Sequence, residues 1–114
     1  MPRDERVYLR HIADAISRIN DYVAGVSERQ FRERQIVQSA VIRELEVIGE
    51  AARNLSEQFR SDHPEVGWLD IVAMRNRLIH AYFDVDLNVV WEVVRDDLPG
   101  LDAFVRRALA RTQG

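Results

Sequence analysis

The sequence predicts an all-α protein: an up-down antiparallel bundle of four main helices with one short helix added. Three observations predict it. Apolar residues recur at helical spacing over several separate stretches. No alternating run of β-branched residues is long enough for a strand. The connections between stretches are short, which favours antiparallel neighbours. At 114 residues, residues 1–114 read as one domain around one core, below the size at which chains usually split.

The elements follow in chain order. Residues 4–24 carry Val7, Leu9, Ile12, Ala15, Ile16, Ile19 and Val23 at helical spacing, and Gly25 closes that helix. Ser27 with Gln30 has the form of a capping box for a short helix that holds Phe31. The longest helix is expected from Arg34 to Arg60, where Val37, Val41, Leu45, Ile48, Ala52, Leu55 and Phe59 form a near-heptad stripe; it is the expected centre of the bundle. Pro64 and Gly67 mark residues 61–67 as a loop, and His63 as a loop residue without catalytic weight. A helix from Trp68 to about Tyr82 follows. A last helical stretch spans Leu87 to Arg111, with an interruption expected at Asp97-Leu98-Pro99-Gly100, where proline breaks or kinks a helix. Residues 112–114 read as a frayed tail.

The helix that starts at Trp68 contains the residues packing does not explain. Advancing about 100° per residue, Ile71, Val72, Leu78, Ile79, Tyr82 and Phe83 fall on one broad arc with Arg75 near its centre. A cation stands where leucine is expected. An unpaired buried charge costs several kcal/mol even after relaxation, so Arg75 requires a carboxylate partner, a wet subunit interface or a bound anion. Glu44 falls within the apolar arc of the long helix and is the expected buried partner, and Gly49 would permit close helix approach there. Asn76 and His80 stand at i and i+4 on the flank of the arc, within reach of each other. Arg77 points to the opposite, solvated face. Arg75 and His80 are about 140° apart around the axis and roughly 7.5 Å apart along it, a span that suits a phosphodiester better than a metal ion. A guanidinium fork binds phosphate oxygens and an imidazole moves protons near neutral pH. Together they form a minimal set for cutting RNA, whose 2′-hydroxyl supplies the nucleophile. A symmetric dimer would supply the second histidine that separate base and acid roles need.

The run Arg75-x4-His80-x-Tyr82, with Asn76 after the arginine, resembles the signature of HepT-like toxins of the HEPN superfamily of RNases. The likeness extends to residues 40–52, to the Pro64–Trp68 entry, to residues 83–86 and to the stretch from Val90 to Pro99. The resemblance implies an HEPN-like bundle and a cytoplasmic toxin that cleaves RNA, tRNA being the expected class, without a metal. It assigns catalysis to Arg75 and His80 of a dimeric site. It also implies a minimal nucleotidyltransferase antitoxin as partner, which silences the toxin by adding AMP to the motif tyrosine, here Tyr82. AMP on Tyr82 would place bulk and negative charge beside the groups that receive an RNA phosphate.

Composition bounds the alternatives. There is no cysteine, which removes disulfides and thiolate metal sites. His11, His63 and His80 are in no ligand spacing, so no metal and no cofactor are expected. Residues 1–10 are charged and contain no apolar stretch of the kind a signal peptide or membrane span needs, which leaves the cytoplasm as the expected location and no membrane as partner. The net charge of −3 argues against gripping nucleic acid over a wide surface; a localised basic patch stays open. All sixteen basic residues are arginine. Two rival readings stay open at this point. One is a non-catalytic module that presents a nucleotide or substrate to a separate nucleotidyltransferase, with Arg75 as an anion clamp. The other is a dimerisation domain in which Arg75 pairs with Glu44.

Overall fold

The structure, a computed structural model, describes residues 3–80 and 85–111. The first helix, α1 (Arg3–Val23), ends ahead of Gly25, whose φ of 72° is the left-handed conformation that a residue without Cβ adopts freely. The capping box then starts α2 (Glu28–Glu33): the Gln30 amide donates to Ser27 Oγ at 3.1 Å and the Ser27 amide donates to Gln30 Oε1 at 3.0 Å. Phe31, fully buried, anchors this turn against Trp91, the ring centroids lying 5.1 Å apart.

The long helix expected from Arg34 to Arg60 is two helices, α3 (Gln35–Asn54) and α4 (Glu57–Asp62). The reason is a local competition that apolar periodicity does not register. Ser56 is an N-cap, its hydroxyl accepting from the Phe59 amide at 3.0 Å. The buried Glu5 carboxylate on α1 then takes both of its remaining donors, the Ser56 amide at 3.0 Å and the Ser56 hydroxyl at 3.1 Å. Beyond α4, His63 packs between Phe59 and Phe104, and its carbonyl accepts from the Trp68 indole at 3.0 Å.

Helix α5 (Trp68–His80) lies along α3, α3 lies along α1, and α1 lies along the last helix, α7 (Leu98–Arg111). The core fills these seams with Leu9, Ile12, Ile16 and Ile19 from α1, Val41, Leu45 and Ile48 from α3, and Phe104 and Val105 from α7. The expected class is therefore what forms, with four long helices; among the described residues the short helices are three, not one. The third is α6 (Leu87–Glu92), capped by the Asp86 side chain.

The expected interruption at residues 97–100 is also different in kind. The helical run does not stop at Pro99. It widens into a π turn over Val93–Asp97, where the Leu98 amide bonds back to the Val93 carbonyl, and α7 begins from there with proline in its first turn. Proline cannot donate to the carbonyl four residues back and would clash with it; the wide turn removes that conflict. On its exposed flank Arg95 hydrogen-bonds Asp96 at 3.0 Å, and that bond, with the guanidinium charge, holds the Asp96 carboxyl below the usual aspartate range.

Candidate functional site

The seam between α3 and α5 is tight at Gly49. A Cβ placed there would lie 2.7 Å from Arg75 Cγ, nearer still to Arg75 Cβ, and 3.3 Å from the Ile71 carbonyl oxygen. The missing side chain on α3 thus makes the room into which Arg75 of α5 descends. Its side chain is 22 % exposed, so the anomalous arginine of the apolar arc is largely enclosed by the fold.

Its partner is Glu50, not Glu44. Arg75 Nη2 stands 2.8 Å from Glu50 Oε2, an ion pair bent away from ideal hydrogen-bond geometry, and Nη1 donates to Asn76 Oδ1 at 3.0 Å. Arg75 Nε is buried and has no hydrogen-bond partner among the described residues. Glu44 is buried as expected, but it faces α1, where it accepts from Arg18 Nε at 2.9 Å and meets the Tyr22 hydroxyl at 3.5 Å. The helix explains the correction. Residues 44 and 49 lie about 140° apart around α3, so the face that carries Gly49 towards α5 cannot also carry Glu44 there. The apolar arc read from the sequence covers two seams, and Glu44 belongs to the other one.

Glu50 is not tied to Arg75 alone. Asn54 Nδ2 donates to its Oε1 at 3.2 Å, and Arg53 Nη1 lies 3.6 Å from its Oε2. Its side chain is 45 % exposed. Oε2 itself is buried, but Arg53 stays beside it, so a ligand anion that took Arg75 from Glu50 would leave the carboxylate with a second cation, which softens the penalty of breaking an enclosed pair.

The remaining predicted residues divide. Asn76 is exposed and touches Arg75, as the motif spacing allows. Arg77 is exposed on another face. His80 is the last residue of α5, five residues along from Arg75; its side chain and Tyr82 lie outside the described residues. Sequence reasoning did not find the setting of the arginine. Arg75 forms one wall of a depression of about 340 Å³ between α1, α3 and α5, which Glu50, Asn54 and Ile79 also line, and to which α1 brings Tyr8 and His11. The signal for Glu50 was its place beside Gly49. For Tyr8 and His11 there was none, since only the folded bundle brings α1 alongside.

Among the described residues no group of His, Cys, Asp or Glu side chains is arranged to hold a metal ion, and no helix is long and apolar enough to cross a membrane.

Comparison with known proteins gives this geometry a lineage. A family model described as ribonuclease HepT-like matches residues 12–108. A protein of Thermococcus cleftensis named "Probable ribonuclease HepT" is 43 % identical over 101 residues, covering 89 % of this chain and 92 % of that one. A Caldanaerobacter subterraneus protein named "Putative RNase" is 37 % identical over 106 residues, covering 93 % of this chain and 95 % of its own. A Methanocaldococcus jannaschii protein, named as a gamma-glutamylcyclotransferase and putative RNase, is 42 % identical over 101 residues; the match covers 89 % of this chain and 46 % of that longer relative. No solved structure gives a significant match. The family model covers α3 and α5 whole and most of α1 and α7, and the relatives align over most of the sequence: this chain belongs to the HepT-like ribonuclease family.

Proposed function

We propose that this protein is an RNA-cleaving toxin of a type VII-like toxin–antitoxin pair. It acts in the cytoplasm on tRNA, as a homodimer whose cleft joins two copies of Arg75, Asn76 and His80. The observation that carries the reading is the enclosed guanidinium of Arg75, held over Gly49 at the edge of an open depression and paired to a carboxylate that has other partners. Membership of a ribonuclease family supports the same chemistry.

In the proposed reaction one imidazole takes the proton of a ribose 2′-hydroxyl as that oxygen attacks the adjacent phosphorus. The bond from phosphorus to the 5′-oxygen breaks, and the second imidazole, across the two-fold axis, protonates the leaving oxygen. The products carry a 2′,3′-cyclic phosphate and a 5′-hydroxyl. Arg75 displaces Glu50 to hold the non-bridging oxygens and stabilises the charge that accumulates on them. Asn76 fixes the guanidinium through the bond it already makes. This chemistry needs no metal. The partner is a minimal nucleotidyltransferase, and AMP on Tyr82, two residues beyond His80, brings a phosphate that competes for Arg75 and repels the substrate.

The test is incubation of unmodified protein with a total tRNA pool in EDTA, beside Arg75→Ala and His80→Ala, with product ends mapped by sequencing. Cleavage by the parent that both variants lose is the expected result. Intact RNA in every lane, from folded dimeric protein free of AMP, would replace this reading with that of a nucleotide-binding module.

A further inference from the structure

We propose that Tyr8 and His11 of α1 form a nucleobase subsite, which stacks the base of the RNA strand next to the phosphate held by Arg75. The inference rests on the RNA-binding reading above and adds to it what recognises the base.

Both residues line the depression that Arg75 walls. They stand one turn apart on α1, with ring centroids 6.1 Å apart and ring planes at 84°. A base stacked on one ring meets the other ring edge-on, so a perpendicular pair offers a stacking face and a polar edge in one place. The polar groups are unused. Neither the Tyr8 hydroxyl nor the His11 ring is hydrogen-bonded or ion-paired to any described residue, whereas the charged groups beside them are engaged, Arg43 with Glu46 at 3.8 Å and Arg75 with Glu50 at 2.8 Å. His11 is exposed and Tyr8 half-buried, so ring surface faces the opening. The volume of about 340 Å³ lies at the small end of ligand-binding clefts, which suits one nucleoside rather than a folded partner.

Charge points the same way. Among the described residues two arginines and two glutamates line the depression, so these give it no net attraction for polyanions beyond the phosphate that Arg75 takes. A strand held there needs a second, uncharged source of affinity. Aromatic stacking is that source in single-strand binding, and it adds affinity without adding to the salt dependence.

The probes are single-stranded 2′-O-methyl octamers, which bind but lack the nucleophile, in oligo(A), oligo(C), oligo(U) and wholly abasic forms. Binding is followed by fluorescence anisotropy at several salt concentrations with the full-length protein and with His11→Ala, Tyr8→Phe, Tyr8→Ala and Arg75→Ala. His11→Ala and Tyr8→Ala are expected to weaken base-bearing octamers about tenfold, to leave the abasic octamer unchanged and to keep the salt slope. Arg75→Ala is expected to weaken all octamers and to reduce the slope by about 0.7. His11→Ala changes an exposed side chain, so its result stands even if Tyr8→Ala unfolds. If His11→Ala and Tyr8→Phe bind every octamer as the parent does while Arg75→Ala still weakens them, the subsite is wrong and the RNA reading survives. If the parent binds no octamer, both fall. A change of oligomeric state in His11→Ala would instead make this face a contact between subunits and overturn the proposal.

Discussion

Replacing Gly49 by alanine isolates the contact on which the site depends. In the middle of a helix that change usually stabilises by about 0.5–1 kcal/mol, because glycine has more backbone freedom to lose on folding. Here the new methyl would sit 2.7 Å from Arg75 Cγ and closer to Arg75 Cβ, with the Ile71 carbonyl 3.3 Å away on the other side. Those atoms are backbone or next to it, so no rotamer change relieves the overlap. Helices α3 and α5 must part by roughly 1 Å, an overpacking that costs about 1–3 kcal/mol. The net expectation is a loss of about 1–2 kcal/mol, which lowers the melting temperature by roughly 4–12 °C. Because the displaced side chain is the proposed phosphate ligand, RNA cleavage should fall by about 100-fold, the scale set by a 1 Å misplacement. Gly100 in α7 is the control. A Cβ there meets nothing within 4 Å, so Gly100→Ala should raise stability by about 0.5–1 kcal/mol. Thermal melts and cleavage assays on the two variants give opposite signs if the reasoning holds. A Gly49→Ala protein that melts at or above the parent and cuts at the parent rate would refute it.

Three further outcomes follow from particular contacts. Glu5→Gln leaves one donor of Ser56 without its buried acceptor and should lower stability by about 1–3 kcal/mol, seen as a lower urea midpoint at constant m; an unchanged midpoint would mean that α4 does not depend on that bond. In double-mutant cycles Glu44 and Arg75 should be additive within about 0.5 kcal/mol, while Glu50 and Arg75 should couple at the low end of about 0.5–3 kcal/mol because the carboxylate is half in solvent. Asp96 should titrate below the ordinary aspartate value when followed by NMR, and should return towards it in Arg95→Ala. Since its native pKa is the lower one, the pair's contribution is present above the unfolded value of about 3.9 and is lost as pH falls through the native value.

Much of this arrangement was legible in the sequence, and the misses share a cause. The Ser27 capping box and the glycine stop at position 25 are set by residues within a few places of one another, and the apolar neighbours of Arg75 along its own helix mark it as enclosed. One-dimensional pattern therefore carries them. The break at Ser56 is fixed by Glu5, fifty-one positions away, and no periodicity in residues 34–60 registers a cap completed from another helix. Glu44 was placed in the right core and the wrong seam, because a single arc cannot say which of two neighbours each of its residues meets. Gly49 is a place of close approach, which a glycine on that helix permits but does not by itself require. Tyr8 and His11 were unreadable for the site because their relation to Arg75 exists only once α1, α3 and α5 share a face. Pattern reports what a segment buries; it does not report against what.

The π turn at Val93–Asp97 ties the length of this chain to its rotation. Val90, Val94 and Leu98 are all buried at four-residue intervals, a spacing that drifts about 40° per step on a regular α-helix, and the wider turn takes up that drift. It holds one residue more than a regular helix over the same rise would. A chain that lost one residue from Val93–Asp97 could close the turn into ordinary α-helix with both flanks in place and Trp91 still against Phe31, but Pro99 would then meet the carbonyl four residues back. A deletion in this turn is therefore tolerated best together with replacement of Pro99, so length and composition change here in pairs.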